Sequence, residues 1–234
     1  IVTSSIVHAT PASFYAKVHS RRQYEDIALQ LSEHYVDLFV GGGKKHFIAR
    51  EDKRNLLNEM DEYTFVNSIR EFGRSNVNKL GYITYDDEPP ALLKGRKPAL
   101  DELTKIGLEK MKAKGKPFFM MIEGSQIDWG AHANEMEYVI SEFKEFDKTI
   151  QAVLEFAKAD GNTLVIVTAD HETGGLSLLG GNISDGKMEG KFNTEGHSAS
   201  MVPVFSYGPS SELFSGIYEN TAIFDKMLKA VESN

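Results

Sequence analysis

Residue types that bind metal ions recur after predicted strands of this sequence. The apolar run 165–168 is short and rich in β-branched residues, which predicts a buried strand, and Asp170 and His171 follow it. Ligands of open α/β sheets bind at the carboxyl ends of strands, and carboxylate and imidazole groups are both zinc ligands. An isolated Asp-His pair is more often just the polar turn after a strand, so the remaining sequence has to decide between the two interpretations.

A second pair, Asp128 and His132, follows the predicted strand 117–122. Side chains four residues apart share one face of a helical turn, so this pair could hold one metal ion. His197 lies just before another predicted strand and would complete a three-ligand set with an open position, as a catalytic zinc ion requires. Each of these residues alone is more often structural, but their common placement predicts a metal centre.

The remaining ligands favour more than one metal ion. The Asp170–His171 pair supplies two ligands, so a third must come from elsewhere. Glu123, with the hydroxyl of Thr10, suits a harder ion such as magnesium. A pair of zinc ions can stabilise the attacking and leaving oxygens of an in-line displacement. Arg21 could bind two oxygens of a phosphate, although a lone arginine beside a second one is ordinarily solvated surface.

Strands and helices alternate along the chain, which predicts an α/β fold with a mostly parallel sheet flanked by helices. We expect strands at 1–5, 37–40, 82–85, 117–122, 163–168, 176–179 and 203–207. We expect helices at 23–35, 50–63, 100–114, 135–158 and 222–233. Most of 64–97 reads as loops, and the glycine-rich segment 180–200 is too long for an ordinary connection, which indicates a functional role.

The composition excludes several classes of protein. The 234 residues suffice for one domain with a buried core, and the net charge of -8 argues against nucleic-acid binding. With no cysteine, a metal must use His, Asp, Glu or hydroxyl ligands. No apolar run is long enough to cross a membrane. Because the chain opens in what reads as the middle of a strand, we expect the N-terminal part of the domain to be missing.

Four ordered segments resemble the metal- and phosphate-binding motifs of alkaline phosphatases. They are His8-Ala-Thr-Pro-Ala12 followed by His19-Ser-Arg21, Glu123-Gly-Ser-Gln-Ile-Asp-Trp-Gly-Ala-His132, Val167-Thr-Ala-Asp-His-Glu-Thr-Gly-Gly175, and Glu195-Gly-His197 before Val202-Pro-Val-Phe-Ser-Tyr-Gly-Pro209. The resemblance covers the whole chain and corresponds to about the C-terminal half to two-thirds of the family domain. It therefore implies a single, incomplete α/β domain over 1–234.

The resemblance implies a role for each matched residue. The implied roles are the first zinc for Asp128, His132 and His197, the second zinc for Asp170 and His171, magnesium for Thr10 and Glu123, and substrate phosphate for Arg21. His8 matches a position near the magnesium where the family has Asp or His. Trp129 matches a variable position where some members carry Lys or His. Since an indole cannot supply positive charge, we expect Trp129 to alter phosphate affinity and its pH dependence.

The implied activity is hydrolysis of phosphate monoesters through a phosphoserine intermediate, with two zinc ions and one magnesium ion in the full-length protein. The family's nucleophilic serine, and the aspartate that bridges the second zinc and the magnesium, match no residue here. We therefore expect little or no activity from this chain alone. The resemblance further implies phosphate monoesters and inorganic phosphate as partners, a homodimer when full length, and a periplasmic or secreted location.

Two alternatives remain open at this point. The first is a phosphodiesterase or a sulfatase-like member of the same superfamily, which shares the Asp and His ligands but is less consistent with Thr10, Glu123 and Arg21. The second is a non-catalytic module that binds metal or phosphate.

Overall fold

The structure is a computed structural model that describes residues 1–33 and 36–232. The chain divides into two compact units, the first comprising Ile1–Ile127 with Ser141–Thr149, and the second Asp128–Ile140 with the chain from Ile150 onward. His34 lies outside the described residues. So do the predicted helix ends at Tyr35 and Ser233.

Helices and strands alternate through most of the chain. The helices are α1 (Tyr24–Glu33), α2 (Lys45–Ile48), α3 (Leu56–Glu59), α4 (Ile69–Arg74), α5 (Leu100–Ala113), α6 (Gln126–His132), α7 (Met136–Asp160) and α8 (Ala222–Glu232). The strands are β1 (Leu38–Gly41), β2 (Thr64–Val66), β3 (Leu80–Ile83), β4 (Val165–Val167), β5 (Glu172–Thr173), β6 (Ser177–Asn182), β7 (Lys187–Lys191), β8 (His197–Ser198) and β9 (Phe205–Tyr207). Short 3-10 turns occur at Thr10–Phe14, Leu92–Lys94 and Ser211–Phe214.

The first unit is built on a parallel sheet with the strand order β1-β3-β2. The N-terminal segment extends this sheet beside β1, because Val2 N donates to Val40 O at 2.9 Å and Ser5 forms a parallel bridge with Gly42. On its other side, Val2 forms a parallel bridge with Glu123. This pairing places a candidate magnesium ligand at the sheet.

Helices cover both faces of this sheet. Successive side chains of a strand point to opposite faces, and Phe39 and Val40 accordingly enter two different apolar clusters. Phe39 packs in a cluster with apolar residues of α1, α2 and α3, whereas Val40 packs in a cluster with residues of α4 and α5. A fully buried side chain such as Phe47 contributes about 1.5–3 kcal/mol by leaving water. The predicted fold class, a mostly parallel sheet flanked by helices, is confirmed.

The strands of the second unit pair in antiparallel fashion. The pairs are β4 with β9, β5 with β8, and β6 with β7. The β6–β7 pair is a hairpin closed at Asn182–Lys187, so the segment predicted as a long glycine-rich connection contains regular structure. The longest helix, α7, confirms the helix predicted at 135–158.

The helix predicted at 50–63 is wrong, since only α3 forms there. Arg50 is buried, and its guanidinium donates to Asp52 and to the backbone oxygens of Glu25 and His46. These contacts hold the start of the segment as a loop. Lys53 then adopts a left-handed φ of 60°, which ends any helix.

The loop predicted over most of 64–97 is also wrong, because β2, α4 and β3 lie within it. Ser68 caps α4 by accepting from Glu71 N, and the Glu71 carboxylate accepts from Asn67 N. The Ser-x-x-Glu spacing of a capping box was therefore an available signal. The strand predicted at 82–85 begins two residues earlier, at Leu80.

The buried strand predicted at 117–122 does not form a ladder. This segment is mostly half-buried, Phe119 is 60% exposed, and the parallel bridge begins only at Glu123.

Among the described residues, no helix has both the length and the apolar composition that a bilayer crossing requires.

Candidate metal centre

Helix α6 presents the first two candidate ligands on one face. Asp128 and His132 lie four residues apart, and His132 Nε2 is 3.4 Å from Asp128 Oδ1. This confirms that the i, i+4 spacing falls on a helix, as the sequence suggested. The pair belongs to the second unit.

His197 reaches the same point from the β5–β8 ladder. Its register places His197 opposite Thr173, and Gly174 N donates to Gly196 O at 2.9 Å, which closes the end of the ladder. His197 Nε2 lies 3.7 Å from Asp128 Oδ1 and 3.1 Å from His132 Nε2. A helix and a two-stranded ladder therefore bring the three side chains together, rather than the edge of one parallel sheet as expected.

The three ligand atoms fit a tetrahedral zinc ion. Zinc–ligand bonds of about 2.0–2.1 Å place neighbouring ligand atoms of a tetrahedron about 3.3 Å apart, and the observed separations are 3.1, 3.4 and 3.7 Å. Asp128, His132 and His197 form the one group of three acidic or imidazole side chains with this convergence in residues 1–33 and 36–232. Their side chains are 35%, 38% and 43% exposed, so a ligand from solution can reach them.

A backbone contact orients the His132 ring. His132 Nδ1 donates to Glu195 O, so a neutral ring carries its proton on Nδ1 and presents Nε2 as the metal donor. Glu195 lies two residues before His197. The segment that supplies one imidazole therefore orients the other.

Asp170 and His171 follow β4 and form the second candidate pair. Asp170 Oδ2 lies 3.3 Å from His171 Nε2, the spacing of two ligands on one zinc ion. The His171 ring stacks on the His197 ring with centroids 3.5 Å apart. The two candidate zinc sites therefore adjoin within the second unit. No third donor joins this pair among the described residues.

Thr10 and Glu123 meet in the first unit. Thr10 Oγ1 lies 3.4 Å from Glu123 Oε1, and Thr10 N donates to Glu123 Oε2 at 3.0 Å. Both side chains offer the hard oxygen donors that magnesium prefers. The predicted pair is therefore in contact.

His8, Arg21 and Trp129 are the remaining residues with a predicted role at the site. His8 is stacked on Tyr24, and its Nδ1 lies 3.5 Å from the Glu88 carboxylate, whose pKa is raised by burial. Arg21 is exposed, and within the described ranges its guanidinium makes no ion pair or hydrogen bond. Trp129 is half-buried on α6, next to Asp128.

Two residues near the ligands, Glu172 and Thr173, were not predicted from the sequence to support them. The Glu172 carboxylate accepts from Gly175 N, Leu176 N and the Ser198 hydroxyl, which braces the turn after β5 against β8. The Thr173 hydroxyl contacts Asp128. Both residues lie inside the Asp-His-Glu-Thr-Gly-Gly motif, so their proximity to the ligands was the available signal. Their contacts depend on the β5–β8 register, which the sequence does not reveal.

Comparison with known proteins gives one consistent result. A sequence profile of the alkaline phosphatase family matches residues 1–191 and 185–233. Alkaline phosphatase 3 of Bacillus subtilis (strain 168) is 29% identical, with the match covering 100% of this chain and 68% of that protein. Alkaline phosphatase 4 of the same organism is 32% identical, with coverage of 100% and 52%. The chain thus spans about half to two-thirds of the length of these relatives.

Solved structures agree with the sequence matches. The structure of alkaline phosphatase from the Antarctic bacterium TAB5 superposes with a TM-score of 0.91 at 43% identity, covering 100% of this chain and 71% of that chain. A histidine-to-glutamate mutant of the TAB5 enzyme, with Mg bound in its M3 site, superposes with a TM-score of 0.90 at 42% identity, covering 99% and 70%.

Proposed function

Because this chain belongs to the alkaline phosphatase family, we propose that it carries the metal- and phosphate-binding part of a phosphate monoester hydrolase. The observation that carries this proposal is the convergence of Asp128, His132 and His197 at zinc-ligand spacing. Asp128 and His132 come from one motif of the chain, and His197 comes from another that lies 65 positions further on. A shared role in metal binding explains why they converge.

We assign the remaining ligands by the same reasoning. Asp170 and His171 would hold a second zinc ion, and Thr10 with Glu123 would hold magnesium. The magnesium assignment is supported by the oxygen donors of this pair and by the TAB5 mutant, which has Mg bound in its M3 site. Bound zinc supplies Lewis acidity that stabilises negative charge on the oxygens of a phosphoryl group during displacement.

Arg21 would bind the substrate phosphate, as the family resemblance implies. The exposed guanidinium of Arg21 can donate two parallel hydrogen bonds to phosphate oxygens. Because the net charge of -8 repels anions, a local cation of this kind is needed to attract one. Trp129 adds no charge beside Asp128, so phosphate binding would depend on the metals and Arg21. His8 would lie near the magnesium.

The reaction of the whole protein would proceed through a phosphoserine. None of the 234 residues matches the serine or bridging aspartate of the family motif, so we propose that this polypeptide alone has little or no turnover. We propose a single α/β domain, a homodimer and a periplasmic or secreted location for the whole protein, by family resemblance. Phosphate monoesters and inorganic phosphate would be its ligands, whereas nucleic acid would not bind an acidic surface.

The activity of the whole protein tests this proposal. A chromogenic phosphate monoester should be hydrolysed at least about 100-fold faster than the matching diester or sulfate ester, and removal of metal by a chelator should abolish turnover. The polypeptide 1–234, folded and metal-loaded, should be nearly inactive. Preference for the diester or sulfate would identify a different superfamily activity. Turnover by 1–234 near the whole-protein rate would contradict the dependence on an additional serine.

A further inference from the structure

The Thr173 hydroxyl lies between ligands of the two candidate zinc sites. Thr173 Oγ1 is 2.5 Å from Asp128 Oδ1 and 3.2 Å from His171 Nδ1. Asp128 belongs to the first candidate site and His171 to the second. All three residues lie in the second unit.

The chemistry of the groups determines the direction of both hydrogen bonds. An ionised carboxylate can only accept, so Thr173 must donate its single proton to Asp128. The lone pairs of the hydroxyl oxygen then accept a proton from His171 Nδ1–H. A neutral His171 with its proton on Nδ1 leaves Nε2 unprotonated, and Nε2 is the atom that lies beside Asp170 Oδ2.

The backbone holds this hydroxyl in place. Thr173 ends β5 and stands opposite His197 in the ladder with β8, so its position is linked to a third ligand. A β-branched side chain also has few χ1 rotamers in a strand. The hydroxyl therefore loses little conformational freedom when it makes both contacts.

We propose that Thr173 is a positioning residue that couples the two zinc sites, through the hydrogen-bond chain from His171 Nδ1 to Thr173 Oγ1 to Asp128 Oδ1. This inference rests on the proposed function and extends it. One hydroxyl orients the carboxylate of one site and sets the tautomer of the imidazole of the other. Loss of the hydroxyl should therefore weaken both sites together.

The test compares Thr173→Val, which removes the hydroxyl at nearly constant shape, with Thr173→Ser, which keeps it. Thr163→Val is a matched control, because the Thr163 hydroxyl also donates to a carboxylate, Asp160 Oδ2 at 2.7 Å, away from the ligands. Zinc affinity of each site is measured in the whole protein by chelator competition. Co²⁺ replaces zinc as a spectroscopic probe of ligand geometry.

We expect Thr173→Val to weaken zinc binding at both sites by about 10- to 100-fold and to change the visible spectrum of the Co²⁺ protein. Thr173→Ser should stay within a few-fold of the parent protein, and Thr163→Val should match it. If Thr173→Val does not fold, Thr173→Ala replaces it against the same serine variant. Parent-like affinity without the hydroxyl, or weakening of one site only, overturns the coupling. If the parent protein itself binds no zinc, the proposed function fails, and the coupling fails with it.

Discussion

At the scale of single residues, the imidazole nitrogens determine whether a metal can bind. Glu195 O engages His132 Nδ1, and the two Nε2 atoms of His132 and His197 face each other at 3.1 Å. A neutral His132 with its proton on Nδ1 has an unprotonated Nε2, which can accept a proton from His197 Nε2 or bind a cation. A metal ion held by both Nε2 atoms would replace the hydrogen bond between the two rings.

Replacing either imidazole should remove most of the zinc from the first site. His132→Ala and His197→Ala each reduce the three protein ligands of the zinc ion to two. Mutation of a residue that only hydrogen-bonds to a ligand lowers metal affinity by about 10- to 100-fold, so loss of a ligand itself should lower zinc affinity by about 100-fold or more. Metal content is measured by atomic spectroscopy after dialysis against a chelator. The exposed His19 provides a control, and His19→Ala should retain parent-like zinc. Equal zinc in all three variants would contradict the ligand assignment.

The ligand identities could be predicted at this scale, whereas their supporting contacts could not. Asp128 and His132 are local in sequence, and one helical turn suffices to align them. Thr173 reaches Asp128 across 45 positions. Such a contact depends on how α6 and the β5–β8 ladder pack, which no local pattern encodes.

At the scale of elements, the turn after β5 helps to position the ligands, because Gly174 N donates to Gly196 O beside His197. Gly174 and Gly175 both have a positive φ, of 85° and 57°. Gly174 O accepts from Asn193 N and Thr194 N, and a Cβ on Gly174 would lie 2.8 Å from the Phe192 ring and 2.9 Å from Ala131 O. The turn therefore requires glycine for both backbone conformation and close packing.

Gly174→Ala should destabilise the protein and weaken zinc binding. We expect a loss of about 2–5 kcal/mol, which combines left-handed backbone strain with overpacking. Gly186→Ala is the matched control, because Gly186 has φ 62° but nothing within 4 Å of an added Cβ, and it should lose only about 1–2 kcal/mol. Denaturant unfolding and zinc titration measure the two effects. An equal decrease in the free energy of unfolding in both variants would show that the close contacts at Gly174 do not contribute to the destabilisation.

Helices were predicted correctly where the spacing of apolar residues was regular, as in α7. They were predicted wrongly where side-chain contacts with distant residues favour another backbone conformation, as at 50–63. The apolar spacing of α7 predicted the helix to within two residues at its C-terminal end. At 50–63 the charged, helix-favouring composition was misleading, because burial of Arg50 with three acceptor groups outweighs helix propensity. Segment 117–122 has the composition of a buried strand, but only its C-terminal neighbour Glu123 pairs with Val2.

At the scale of the whole molecule, the proposed function requires an acidic chain to bind an anionic ligand. The net charge of -8 repels anions, so the proposed phosphate binding requires positive charge from metal ions and from Arg21. The chain spans 68% and 52% of its two Bacillus subtilis relatives, and it contains the candidate ligands of the first zinc site. The α/β class was predictable because alternation of elements is a long-range pattern that survives local errors.

Anomalous X-ray diffraction at the zinc absorption edge, from crystals of the whole metal-loaded protein, tests this account most directly. The proposed first zinc site predicts a peak about 2.0–2.1 Å from one Asp128 carboxylate oxygen and from Nε2 of both His132 and His197. The absence of zinc there, or a peak bound by other residues, would contradict it.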